Sequence, residues 1–241
     1  MNEWATKRFW EKVAIAEETG GYAIRLDDRP IRTPAKQLLV VPTERIAKHI
    51  AAEWEAQEEK LRPLTMPWTR SANAALDKIA PQRREVMDHL IGYAGSDLLC
   101  YRAEGPEALT GRQRQVWDPI LDWVADTYDA RLDVTAGIMP IQQPRDALQR
   151  LAEPMADMSD FQLAGFHDMV ALSGSYAIAL AAAFGDHLAS TLWDASRLDE
   201  NWQIEQWGED FEAKRDAEAK KGSFVHATEL FSAARISDLT D

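Results

Sequence analysis

The spacing of apolar residues changes once along this 241-residue chain, and that change limits its fold more than any other feature. Tyr22, Ile24 and Leu26 recur at every second position, the period that turns a strand's side chains to one face. Residues 9–16 alternate less regularly. Glu17-Glu18-Thr19-Gly20-Gly21 and Asp27-Asp28-Arg29-Pro30 are built from turn-forming types. Segments 31–33 and 38–41 are long enough for two more short strands, so the opening of the chain predicts an antiparallel meander. Thr43 then supplies an N-cap. Ile46, Ala47, Ile50, Ala51 and Trp54 fall on one helical stripe, with Glu44, Lys48, Glu55 and Glu59 outside it. Laying that stripe on one face of the meander gives a small two-layer α+β domain.

Beyond Pro67 the strand period disappears. Arg62-Pro63 and Met66-Pro67 interrupt the chain. Helical patterns follow near 67–79, 82–95, 111–128, 145–157, 160–172, 175–184, 187–205 and 209–220, with a loop over 137–144. Thr110 with Gln113 and Ser159 with Gln162 match the capping box, which places two helix starts. Val116, Ile120, Trp123, Val124 and Thr127 form a stripe, with Asp118, Asp122 and Asp126 opposite. The expected fold class is α+β: an N-terminal sheet-plus-helix domain over 1–75, then an all-α orthogonal helical bundle over 76–241. The last dozen residues carry no strong pattern and are expected to fray or to hold a partner.

Composition excludes several functions. A hydrophobic fraction of 46% supports a packed core rather than disorder. The 27 basic and 40 acidic residues leave a net charge of −13, which repels nucleic-acid phosphates and anionic lipid. The longest uncharged run, 169–185, is shorter than the ~20 residues of a bilayer-spanning helix and reads as an Ala-rich core helix. Residues 1–10 lack the apolar run of a signal peptide and the Arg- and Ser-rich character of a transit peptide. The single cysteine, Cys100, excludes an internal disulfide and any Cys-rich metal centre, and its apolar neighbours suit a buried small hydrophobe.

The search for catalytic patterns is largely negative. There is no phosphate-binding glycine loop and no HExxH spacing, and His49, His89, His167, His187 and His226 are scattered. No metal or cofactor is expected. Ser173-Gly174-Ser175 lacks the flanking glycines of a nucleophile elbow and reads as small residues at a close helix contact. The acidic doublets Asp27-Asp28, Glu58-Glu59, Asp199-Glu200 and Glu209-Asp210 are sequence neighbours, which do not face each other across a cleft as a glycosidase pair must.

Two features stand out. Nine tryptophans is a high count, with Trp193, Trp202 and Trp207 close together and Trp117 and Trp123 on one earlier helix. Residues 199–218 carry eight acidic and two basic side chains interleaved with Trp202, Ile204, Trp207 and Phe211. The i, i+3, i+7 spacing of Trp202, Glu205 and Glu209 puts them on one helical face, and Ile204, Trp207 and Phe211 form the neighbouring face. Such a helix can bury one apolar face and present aromatic and acidic groups on another, and surface tryptophan is a typical binding anchor.

The chain also resembles a family: the alpha-subunit-specific assembly chaperones of the ATP synthase catalytic head. The resemblance runs over about residues 8–219. It is carried by Arg8-Phe9-Trp10, Leu26-Asp27-Asp28-Arg29-Pro30, Thr33-Pro34, Val41-Pro42-Thr43 and Ala52-Glu53-Trp54-Glu55-Ala56-Gln57. It continues through Met66-Pro67, Asp97-Leu98-Leu99-Cys100-Tyr101-Arg102-Ala103 and Trp117-Asp118-Pro119. The C-terminal part is Leu198-Asp199-Glu200, Gln203-Ile204-Glu205 and Trp207-Gly208-Glu209-Asp210. Trp68-Thr69-Arg70-Ser71 departs from the pattern and suggests an extra surface aromatic or a repacked domain junction.

The resemblance implies a small α+β domain, a helical bundle and no catalysis. It implies a holdase that binds the unassembled alpha subunit, prevents its aggregation and releases it on beta-subunit docking; the chain itself is expected to be a monomer. With the helical spacing, it nominates Glu200, Trp202, Glu205, Trp207 and Glu209 as client contacts. The expected location is the bacterial cytoplasm, or the mitochondrial matrix for a processed organelle protein. The rival readings are a general protein-binding adaptor and an enzyme using Asp97 or Asp168 in a bundle cleft.

Overall fold

The computed structural model describes residues 7–235, which divide into two compact units. The first gathers the described part of Met1–Arg83 with Ser159–Gly165 and the described part of Glu229–Asp241. Its sheet is antiparallel. β1 (Val13–Glu18) pairs with β2 (Gly21–Leu26), from Val13 opposite Leu26 to Glu18 opposite Gly21. The other edge of β2 is shared: β3 (Arg29–Pro30) pairs at Arg25 and Leu26, and β4 (Val40–Val41) pairs at Tyr22 and Ala23. The expected meander is therefore modified, because β4 returns to β2 instead of extending the sheet beyond β3. Ile24, Leu26, Leu39 and Val41 are buried.

The first hairpin depends on glycine. Gly20 has φ +90° and Gly21 φ +149°. A Cβ on Gly21 would collide with the Val41 carbonyl oxygen, whereas one on Gly20 would meet open space. Gly21→Ala should therefore cost about 2 kcal/mol, from φ strain plus displacement of β4, and Gly20→Ala about half that from strain alone. Urea denaturation of the two variants separates the terms; equal losses would remove the collision from the account.

α1 (Glu44–Glu55) begins where expected, with the Thr43 side chain accepting from the Ile46 amide at 3.3 Å. Its stripe of Ile46, Ala47 and Ile50 is buried, and the helix packs on β1 and β2. Each isoleucine contributes about 1.5–3 kcal/mol by leaving water. α2 (Pro67–Ala74) has no cap of its own at Met66. Glu53 of α1 supplies one, accepting from the Trp68 and Thr69 amides at 2.6 and 2.8 Å and from the Thr69 hydroxyl at 2.7 Å. Burial pushes the Glu53 carboxyl above its ordinary pKa, and those hydrogen bonds oppose the shift. Trp68 is not a surface aromatic: it is buried, with its ring stacked 4.0 Å from His49.

The second unit comprises Arg84–Met158 and Phe166–Thr228. The remaining α-helices among the described residues are α3 (Arg83–Gly95), α4 (Glu107–Tyr128), α5 (Arg145–Ala156), α6 (Asp160–Ser173), α7 (Tyr176–Phe184), α8 (Ala189–Ser196), α9 (Leu198–Trp207) and α10 (Phe211–Ala233). Two-residue strands, β5 (Tyr101–Arg102) and β6 (Thr135–Ala136), form a parallel pair in a region expected to hold none, since two residues carry no periodicity. α4 buries Gln113, Trp117, Ile120, Leu121 and Val124, a stripe centred on Trp117 rather than on Trp123. α7 is buried almost all round, as the uncharged run predicts. The expected helix over 187–205 divides at Arg197 into α8 and α9.

Ser173-Gly174-Ser175 proves to be a helix break. Gly174 takes φ +70°, and Ser175 caps α7 by accepting from the Ile178 amide at 3.0 Å. The Ser175 hydroxyl also donates to Asp97 at 2.8 Å. The terminal expectation is corrected in part: α10 runs to Ala233, with Phe224, Ala227, Leu230 and Phe231 buried. Residues 236–241 lie outside the described residues.

Candidate functional site

α9 is held by α4, and the contacts start in the core of the second unit. Gln113 is buried; its side-chain oxygen accepts from the Ala103 amide at 2.9 Å and its amide nitrogen donates to Asp199 at 2.7 Å. Trp117, also buried, donates its indole N–H to the Ala195 carbonyl at 2.8 Å. Nearer the surface, the Arg112 guanidinium lies 4.9 Å from the Trp202 ring centroid and donates to Glu205 Oε1 at 2.7 Å. A planar guanidinium can stack on a ring and bind a carboxylate at once. That contact holds the Glu205 carboxyl below its ordinary pKa.

The other two glutamates of the sequence-predicted site also have local cations. Glu200 accepts from Arg197 at 2.9 Å, and Glu209 accepts from Lys214 at 2.9 Å. Exposed pairs of this kind add little stability. They set where the carboxylates point, and a partner's cation must compete with them.

One helical face does not carry all three of Trp202, Glu205 and Glu209. Gly208, at φ +90°, ends α9, and its N–H bonds the Ile204 carbonyl at 2.9 Å. Asp210 then caps α10, its carboxylate accepting from the Ala213 amide at 2.8 Å. The structure thus joins Trp202 and Glu205 through Arg112 and sets Glu209 beyond the Gly208 stop. The same stop separates Trp207 from Phe211. Both are large apolar side chains left in water, Trp207 at 88% and Phe211 at 78% exposure. Trp202 is half-buried, whereas Trp117 and Trp193 are core. The corner between α9 and α10 therefore offers two uncovered aromatics flanking Glu209 and Asp210. Arg112 escapes sequence reasoning because it lies ninety-three positions before Glu205, with no local pattern linking them.

Other groups considered for chemistry have structural partners. Asp97 is buried and accepts from the Ser175 hydroxyl and from the Leu99 and Ala177 amides. Asp168 lies on the surface of α6, 3.2 Å from its neighbour His167. A cavity of about 610 Å³ beside β5 and β6 is lined by ion pairs, among them Arg102 with Asp118 at 2.8 Å and Arg131 with Asp122 at 3.1 Å. Burial pushes the Cys100 thiol up to about 12, so it is inert at neutral pH. Among the described residues, no three His, Cys, Asp or Glu side chains come together as a metal site, and no helix is long and apolar enough to cross a membrane.

Comparison with known proteins gives one consistent result. Residues 7–125 match the family model described as ATP12 chaperone protein. The crystal structure of Atp12 from Paracoccus denitrificans superposes with a TM-score of 0.92 at 43% identity, covering 97% of this chain and all (100%) of that one. A point mutant of the P. denitrificans protein superposes with a TM-score of 0.93 at 42% identity, with the same coverage of 97% and 100%. The mitochondrial protein atp12 of Schizosaccharomyces pombe is 24% identical over 214 residues, 84% of this chain and 74% of the yeast protein.

Proposed function

The chain belongs to the ATP12 chaperone family, and from that premise we propose that it is a dedicated assembly chaperone. It binds the unassembled alpha subunit of the ATP synthase catalytic head, keeps it from aggregating, and yields it when the beta subunit docks. The observation that carries this reading is the uncovered Trp207–Phe211 corner on a chain that matches Atp12 structures over nearly its whole length. An unpaired subunit exposes apolar surface meant for its neighbour, and such surface associates non-specifically. A chaperone must cover that surface reversibly, which calls for a few aromatic anchors rather than a reaction centre. The protein acts by binding and not by catalysis. Its higher identity to the bacterial structures than to the yeast mitochondrial protein supports a place in the bacterial cytoplasm.

The test is aggregation of purified alpha subunit, followed by light scattering. An equimolar amount of this protein should suppress the scattering, and added beta subunit should release the client. Suppression of many unrelated proteins to the same degree would instead make it a general adaptor, and no suppression would end the proposal.

Among the proposed contacts, Glu205 is the most informative to change. Glu205→Lys should lower affinity for the client by about tenfold. It also sets two cations together, so the swap Arg112→Glu with Glu205→Arg is the control that keeps the internal pair. If Glu205 touches the client, the swap stays defective. If its role is only to hold α9, the swap restores binding.

A further inference from the structure

A second apolar feature lies in the first unit, at the end of the sheet. Phe9, Trp10, Leu26, Pro30, Ile31, Trp54 and Leu61 line a groove of about 340 Å³, within the size range of small ligand sites. Among the described residues, its charged lining residues are Arg29 and Arg32. Both are exposed, and among the described residues neither is ion-paired; Arg32 donates instead to the Lys36 carbonyl at 2.9 Å. This local excess of positive charge stands on a chain whose net charge is −13. Asp27, near them in sequence, is occupied by the Glu11 and Lys12 amides at 3.1 and 3.0 Å.

The groove wall is aromatic, and one of its rings stands open. Trp10 and Trp54 pack together in the groove wall, with ring centroids 5.1 Å apart. Both indole N–H groups are buried without an acceptor among the described residues. Sealed from solvent in this way, those two donors offer nothing to a ligand entering the groove, and the rings serve as apolar wall. Beside them the Phe9 ring stands 59% exposed although it belongs to the groove lining. Apolar walls and two cations without carboxylate partners among the described residues describe the complement of an apolar peptide that carries a negative charge.

We infer that this groove takes an extended apolar segment of the unassembled client, one that carries an acidic side chain. The client's apolar side chains fill the groove beside Phe9 and Trp54. Its carboxylate meets Arg29 and Arg32. The inference rests on the assembly-chaperone reading and adds a contact whose charge is opposite to that of the α9–α10 corner. A client held at two points of opposite sign is held in one orientation.

The experiment uses the full chain, purified alpha subunit, and fifteen-residue peptides tiled across that subunit. Arg29→Glu with Arg32→Glu should lower affinity for the subunit, and for the strongest apolar-acidic peptide, by at least about tenfold. Replacing the acid of that peptide by lysine should restore binding to the reversed protein. Phe9→Ser removes the open apolar ring of the groove and should lower affinity about fivefold. Thermal melts check that both variants fold. Wild-type affinity in the arginine variant or in the ring variant overturns the groove proposal alone. Failure of the unaltered protein to bind the alpha subunit overturns both this inference and the function it rests on.

Discussion

Replacing Trp207 and Phe211 together by serine should weaken binding of the unassembled alpha subunit by about a hundredfold, with each single change giving roughly a tenth of that effect. Aromatic anchors dominate interfaces because they remove large apolar areas from water at little conformational cost. At 88% and 78% exposure, these two rings now give their host almost no burial, so their removal should shift stability by no more than about 0.5 kcal/mol. Affinity and stability must therefore separate. Isothermal titration against the alpha subunit, alongside a urea melt of each variant, reads both. A double variant that melts normally and binds normally would remove the α9–α10 corner from the client interface.

The largest expected loss of stability is at Asp97, which is not among the proposed client contacts. Its carboxylate stands at the start of a short helical turn and accepts from the Leu99 amide at 2.9 Å, the Ser175 hydroxyl at 2.8 Å and the Ala177 amide at 2.9 Å. It ties that turn to the first turn of α7, the most buried helix of the second unit. Asp97→Ala leaves three donors unmatched in the core and should cost about 4 kcal/mol. Asp97→Asn keeps one acceptor oxygen and should cost less. Burial raises the Asp97 carboxyl above its ordinary pKa, and the hydrogen bonds oppose that without cancelling it. The native state thus holds this proton more tightly than the unfolded chain does. The contribution is fully present below about pH 4 and is lost as pH rises through the folded pKa. A carboxamide at this position does not titrate, so the deficit of Asp97→Asn should be widest in acid and narrow towards neutral pH. Denaturant titrations across that range give the answer; a deficit that widens as pH rises would reverse the assignment.

Much of the fold is legible because local rules and tertiary needs agree. Ser159 and Gln162 form the predicted capping box in both directions, at 3.0 and 3.2 Å. Thr43 caps α1 as its sequence context requires, and its hydroxyl also donates to the Ala233 carbonyl at 2.7 Å, which no sequence rule foretells. The Thr110–Gln113 pair shows the opposite outcome. α4 begins earlier, at Glu107 after Pro106, and Gln113 spends its side chain on Ala103 and Asp199. The extension of α10 is readable: Phe224, Ala227, Leu230 and Phe231 recur at helical spacing, and all are buried. For the candidate site, the acidic and aromatic composition is plain in the sequence. The Gly208 stop is also present in it, but the expected helical spacing runs through that position.

The sequence by itself determined the order of the two architectures, the caps at Thr43 and Ser159, the first turns and the burial of α7. Each of these depends on residues within a few positions of one another, where φ preferences, hydrophobic period and short-range hydrogen bonds act. Only the tertiary structure decided which tryptophans face water, which cation sits on Glu205, and that the Trp10 and Trp54 indoles lack acceptors among the described residues. Those outcomes depend on residues tens of positions apart meeting in space. Side-chain type limits what such a meeting can do, but the packing of the elements decides whether it occurs.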